Sequence, residues 1–333
     1  MNRCNTCHEG HAGYWPSAIV LVLAIGLGVP QARATPADLH AEVVLANESG
    51  PGGPTFACED VAIDPLGRIT FTDPLNKRVA VVESDGTLRT YAGGAATQNE
   101  SQPLFSHPLG IAIGPSGVFY VADSDRNQVV GIVSEEVNTI VAGSGSAGFA
   151  GDGGLATGAS LDRPTDVAVG TDGTLYVVDS NNLRIRRVST EGTISTVAVL
   201  QQETGAYQKP KRVLVLPDGS LLITTEYPER IVRIGVDGSQ ANLSLGSTEG
   251  EALPLVALAV NNDALILREA RNIVVAGLPS GAILEGTALF HPVDPGGNLF
   301  VAASVAYATN DTVVLCDQHV RRILRASLSG GGP

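Results

Sequence analysis

Short apolar runs broken by Pro, Asp and Gly recur along the chain, and four of them superimpose closely. Val61-Ala-Ile-Asp-Pro-Leu-Gly67 leads into Phe71-Thr-Asp73, and Ile111-Ala-Ile-Gly-Pro-Ser-Gly117 into Val121-Ala-Asp123. Val167 to Gly173 then leads into Val177-Val-Asp179, and Val213 to Gly219 into Ile223-Thr-Thr225. Each is an apolar strand, a tight turn and a second apolar strand, which is the pattern of a hairpin. Weaker copies run from Ala257 to Leu267 and from Ser304 to Cys316. A third strand begins with a recurring pair: Arg78-Val79, Arg184-Ile185, Arg230-Ile231 and Arg322-Ile323. A fourth follows in most units, as at Thr87 to Tyr91 and Thr193 to Val197.

Four strands repeated about every 45–55 residues are the mark of propeller blades. The pattern therefore predicts an all-β, six-bladed β-propeller. Its blades cover 59–93, 108–143, 164–200, 210–246, 255–286 and 300–328. The last unit has room for three strands, so the strand at 41–46 is expected to complete it. That pairing joins the two chain ends and hides two sheet edges. Small residues at Ala62, Ala112, Ala168 and Ala306 suit inner strands that converge on an axis.

Composition agrees. Of 333 residues, 39 are Gly and 19 are Pro, a turn-rich mix that fits one large all-β domain, here 35–333. Residues 1–34 read as an export signal: an apolar run from Ser17 to Val29, then Pro30 and the small-x-small site Ala32-Arg33-Ala34. The run is short for a membrane span, and an uncleaved anchor is the alternative. Either way the propeller is expected outside the cytoplasm, secreted or periplasmic. The net charge of −13, with no Lys/Arg cluster, argues against nucleic acid and anionic lipid as partners. A monomer with a protein, peptide or glycan ligand is expected.

Cys4-Asn5-Thr6-Cys7-His8 matches the spacing for covalent heme. It precedes the apolar run, so it would stay in the cytoplasm or leave with the signal, and no heme is expected. Cys58 and Cys316 are the two cysteines of the propeller. They fall on neighbouring units at the same face, which predicts a disulfide across the ring closure.

The blades resemble NHL repeats, which read roughly Pro-x-Gly-(Ile/Val)-Ala-(Ile/Val), Gly-x-(Ile/Leu/Val)-Tyr-Val-x-Asp and Asn-x-Arg-(Ile/Val). Pro108 to Ile113 with Tyr120 to Asp123, and Asp179 to Ile185, match best. The segment from Ala142 through Phe149 and Asp152 to Pro164 is similar to the glycine-rich linker of bacterial NHL proteins. The resemblance spans residues 41–328 and implies the fold, while its members include scaffolds, sensors, lyases and hydrolases.

One face of such a propeller gathers Glu59, Asp60, Asp73, Asp123, Asp166, Asp179, Glu269 and Asp317, carboxylates that suit Ca²⁺, with Glu59, Asp123, Asp179 and Asp317 as the candidate ligands. The competing reading has each repeat Asp accepting backbone N–H groups at its own turn. Glu59 lies where the related gluconolactonase and regucalcin propellers place a metal-binding Glu. Their other ligand places hold Leu109, Thr165 and Lys211 here, so the set is incomplete. His107 and His291, each before Pro, are candidates for zinc or acid–base chemistry. Arg163, Lys209 and Arg212 suit an anionic ligand, and Phe149 and Asp152 mark the linker as a binding loop or a packed lid. The expected function is an extracytoplasmic binding module. The alternative is a metal-assisted, lactonase-like hydrolase or lyase using Ca²⁺ or Zn²⁺ at the channel mouth.

Overall fold

The computed structural model describes residues 37–46, 55–94, 104–200, 208–226, 230–245, 255–260, 264–269, 272–277, 283–284, 286–293, 304–309, 312–317 and 321–327. The first strand, β1, is Ala37–Ala46. A four-stranded meander follows: β2 (Val61–Ile63), β3 (Ile69–Asp73), β4 (Arg78–Val82) and β5 (Leu88–Gly93). The next is β6 (Pro108–Ile113), β7 (Phe119–Asp123), β8 (Gln128–Ile132) and β9 (Asn138–Ala142). The third is β10 (Pro164–Val169), β11 (Leu175–Asp179), β12 (Arg184–Val188) and β13 (Ile194–Val199). The fourth is β14 (Lys209–Val215), β15 (Leu221–Glu226), β16 (Arg230–Ile234) and β17 (Gln240–Leu245). Then come β18 (Leu255–Val260), β19 (Ala264–Glu269), β20 (Asn272–Gly277), β21 (Ile283–Leu284) and β22 (Gly286–Val293). The last are β23 (Ser304–Thr309), β24 (Thr312–Asp317) and β25 (Arg322–Ser327).

The molecule is an all-β propeller. Its hairpins form because the repeat turn is locally encoded. In the first, Gly67 at φ +79° donates its N–H to Asp64 O, and Asp64 accepts from Leu66 and Arg68 N–H at 2.9 and 2.8 Å. A residue with a Cβ is strained at that φ, so glycine belongs there. The second strands are covered by neighbouring sheets on both sides, and every residue of β3 is buried. The outer strand β9 is largely exposed. The core is therefore a set of apolar wedges between adjacent sheets. One joins Phe71, Val314 and Ile323, another Val79, Phe119 and Val130, a third Leu161, Val177 and Ile194, and a fourth Val178, Val213 and Ile223.

The repeats predict six separate sheets, but the hydrogen-bonded strands form five, one of them eight-stranded. The cause is β1. Its Ala41 to Ala46 segment pairs antiparallel with β25, as expected for the strand at 41–46. Its first residues, Ala37 to His40, pair in parallel with Phe290 to Val293 of β22. The two pairings merge two four-stranded units into the order β18-β19-β20-β22-β1-β25-β24-β23. The strand β21 adds in parallel to the edge of β17.

The inner strands β2, β6, β10, β14, β18 and β23 pack in succession, and β23 returns to β2. At this closure Val61 N–H donates to Ser304 Oγ at 3.3 Å. The Cys58–Cys316 disulfide bridges the same junction, joining residues 258 apart with Cα atoms at 5.9 Å. A cross-link closing so long a loop restricts the unfolded chain. The double variant C58A/C316A should therefore lose about 2–4 kcal/mol, read as a lower guanidinium midpoint at nearly unchanged slope. An unchanged midpoint would mean that the closure holds without it.

Candidate functional site

The residues just before the apolar inner runs meet one another across the sheets. In five units this residue is Asp60, Gly110, Asp166, Arg212 or Ser304. Asp60 and Arg212, 152 residues apart, meet at 2.8 Å between Oδ1 and Nη1. Ser304 Oγ donates to the same Oδ1 at 2.5 Å. Ile111 N–H donates to Asp60 Oδ2 at 2.9 Å. The second guanidinium nitrogen, Nη2, donates to Glu59 O at 3.0 Å. Asp166 plays the role of Asp60 between the next pair of inner strands, accepting Val213 N–H at 2.8 Å. A Cβ at Gly110 would come within 2.0 Å of Asp166 Oδ1, so only glycine lets that carboxyl lie against the chain.

All three charged groups are buried: Asp60, Asp166 and Arg212 expose 6%, 4% and 9% of their surface. Two carboxylates thus share one guanidinium in a dry place. Burial, with the nearby Asp60 charge, pushes the Asp166 carboxyl up to about 8. Burial works against the Arg212 charge, but Asp60 and Asp166 outweigh it and hold that group above its usual range. The cluster is therefore an Arg212–Asp60 pair beside an Asp166 carboxyl that burial and the nearby Asp60 push toward its protonated form.

This cluster floors a cavity of about 200 Å³. Glu59, Thr165, Lys209, Lys211 and Glu226 line it above, with Gly110, Asp166 and Arg212 below. Thr165 Oγ1 donates to Lys211 O at 2.9 Å, and Ser180 Oγ to Pro210 O at 2.7 Å, which ties the third unit to the entry of β14. Lys211 Nζ pairs with Glu226 at 3.1 Å.

The repeat aspartates serve the fold. Asp123 accepts Ser106 and His107 N–H, both at 2.8 Å, and Asp179 accepts Asp162 N–H at 2.8 Å and the Asn182 amide at 2.9 Å. Asp73 does the same for Ala57 at 3.0 Å. All three are fully buried. Burial pushes Asp123 and Asp179 upward, although these donors favour the ionised form. Asp317 ends β24 opposite Arg322, and its side chain lies outside the described residues. Among the described residues no three His, Cys, Asp or Glu groups cluster as for a metal.

His107 is half-buried and does not line the cavity. His291 pairs with Asp38 in the register of β22 and β1, and its side chain is not described. Cys4, Cys7 and His8 also lie outside the described residues. Arg163 is exposed, with its guanidinium 3.3 Å from Asp125. Phe149 and Asp152 belong to a lid that the sequence left open as loop or packed cover. Its anchor is Arg186, fully buried in β12 and not singled out from the sequence. Arg186 bridges Asp152 at 2.7 Å and Asp179 at 3.2 Å, while Arg184 and Arg186 lie 3.9 and 4.9 Å from the Phe149 ring centre. Leu155 on the same loop is 70% exposed. Leu161, behind it, enters the core.

Comparison with known proteins follows from this geometry. The NHL repeat profile matches residues 105–132, and that of the teneurin NHL domain matches residues 145–213. The chain carries NHL repeats. Teneurin-1 of Mus musculus is 36% identical over 92 residues, which are 24% of this chain and 3% of the relative. The match thus spans a small part of teneurin-1. Virginiamycin B lyase from Staphylococcus aureus superimposes with TM-score 0.54 at 17% identity, over 80% of this chain and 79% of that one. A putative gluconolactonase gives 0.57 at 14%, over 88% and 93%. At such identities the likeness shows the fold alone.

The residues at the cavity do not suit a divalent metal ion. Glu59 stands near the Arg212 guanidinium, and Leu109, Thr165 and Lys211 fill the other entries. A hydrocarbon and two cations are poor company for a divalent ion.

Because the folded Asp166 binds a proton that the unfolded chain releases above its ordinary 3.8, its contribution to stability is greatest at low pH and falls as pH rises toward about 8. Asp166→Asn should flatten this fall. Relative to the parent it should gain more than about 1.4 kcal/mol between pH 5 and pH 8.5, the equivalent of one pKa unit. Urea unfolding of the two proteins at pH 5 and pH 8.5 checks this, and an unchanged stability difference between those pH values would contradict it.

Proposed function

We propose that the chain is an exported NHL propeller of six sectors that acts as a binding module. It presents the face around Glu59, Lys209 and Arg163 to a protein, peptide or glycan partner. The observation that carries this reading is the Asp60–Arg212 pair. It occupies the axial position beneath the mouth and leaves about 200 Å³ above it. Sites that engulf small molecules usually offer about 300–1,000 Å³ with a mostly apolar lining. A shallow, charged depression ringed by loops suits surface recognition instead.

Six successive inner strands support six sectors, with the eight-stranded sheet read as two blades sharing β1. The disulfide supports an oxidising compartment, as does the apolar run from Ser17 to Val29. Glu59, His107 and Arg163 stand just before β2, β6 and β10, and Lys209 begins β14, so the four share one end of the inner strands. The turns at 64–67, 83–86, 216–219 and 235–238 lie at the other ends of their strands.

Two measurements test this reading. The triple variant Glu59→Ala, Lys209→Ala, Arg163→Ala should lose at least tenfold of the partner retained from native extracts. The pair Asp85→Ala, Asp237→Ala, at the opposite turns, should retain it. Equal loss from both sets would count against the assigned face. Ca²⁺ and Zn²⁺ at millimolar concentration should leave Tm within about 1 °C, because a ligand bound to the native state must raise it. A rise of several degrees would favour the metal-assisted hydrolase.

A further inference from the structure

Three cations line the cavity. Arg212 is spent on Asp60 at 2.8 Å and on the Glu59 carbonyl at 3.0 Å. Lys211 is spent on Glu226 at 3.1 Å. Lys209 is different. It begins β14 half-buried at the cavity wall, and among the described residues its ammonium pairs with no acid. A half-buried ammonium keeps part of its desolvation cost until an anion arrives, so the wall is built to receive one.

The lining also says which anion. Among the described residues no Phe, Tyr or Trp borders the cavity, and polar and charged side chains line it instead. A volume of about 200 Å³ admits one extended acidic side chain and little more. The two hydroxyls of the wall, on Thr165 and Ser180, already donate to backbone carbonyls, so they offer no further donor for a sugar hydroxyl.

We propose that this cavity anchors a single carboxylate side chain of an acidic partner peptide, with the Lys209 ammonium as its counter-ion. The proposal rests on the binding-module reading and narrows it to one partner chemistry. The Arg212–Asp60 pair fixes one wall of the cavity, and Arg212 also stands near Glu59 and offsets its charge. Lys211 offsets Glu226.

The test uses the full chain and three probes at constant ionic strength: acetyl-Gly-Glu-Gly-amide, its Gln counterpart and digalacturonate. Binding is followed through the backbone amide shifts of Lys209 to Arg212. The Glu peptide should saturate these shifts, with the Gln peptide at least tenfold weaker. Lys209→Gln should weaken the Glu peptide at least tenfold, and Lys209→Arg should keep it within about threefold of the parent. Both variants should unfold at the parent Tm. Equal binding of Glu and Gln peptides, or an unaffected Lys209→Gln, would overturn the proposal. Binding of digalacturonate without the Glu peptide would overturn it in favour of a uronate sugar. Should the Glu peptide fail while the triple variant of the mouth still loses its native partner, the anchor is wrong and the module stands. Should the triple variant keep that partner, the module reading itself fails.

Discussion

The structure turns on one ion pair. Asp60 and Arg212 come from the first and fourth four-stranded units, 152 residues apart, and meet at 2.8 Å near the axis. Around them the chain spends nearly every available polar group: Ser304 Oγ and Ile111 N–H on Asp60, and the Glu59 carbonyl on Arg212. Buried pairs of this kind are weak evidence for net stability, because desolvation offsets attraction. They are strong determinants of arrangement, because losing one partner strands the other. Here the pair ties the entry of β2 to that of β14 and so fixes how these inner strands face each other.

The charges around the cavity are compensated in pairs: Arg212 by Asp60, Lys211 by Glu226. Asp166 joins the cluster by burial beside Asp60, which pushes its carboxyl toward the protonated form. The lid is secured by the same logic at a second place, where buried Arg186 bridges Asp152 and Asp179. Phe149 and Asp152 thereby do double service, since their exposed edges border the face while their anchoring groups hold the loop.

Much of this was legible in the sequence wherever the cause is local. The hairpins follow from Asp64 and Gly67 and their copies, and the repeat aspartates cap backbone groups only 16 or 17 residues away. The disulfide between Cys58 and Cys316 could be placed once the blades were counted. What escaped depends on distant partners. Nothing near Ala37 to His40 signals a parallel pairing with Phe290 to Val293, so the fusion of two units into one sheet was not foreseen. Arg212 reads as a cation for a ligand and Asp60 as one carboxylate among several, and their meeting with each other and with Ser304 needs the closed ring, with 152 and 244 residues between partners. Arg186 reads as one more exposed arginine of a third strand, because the acid that buries it arrives from a lid 34 residues away.

The axial pair can be measured directly through a thermodynamic cycle of Asp60→Asn, Arg212→Met and the double variant, each unfolded in urea at pH 7. If the pair organises the ring, each single variant loses about 3–5 kcal/mol, and the double variant is more stable than the sum by at least about 2 kcal/mol. Losses that add to within about 0.5 kcal/mol would contradict the account, because the two groups would then act independently and the ring would be organised by something else.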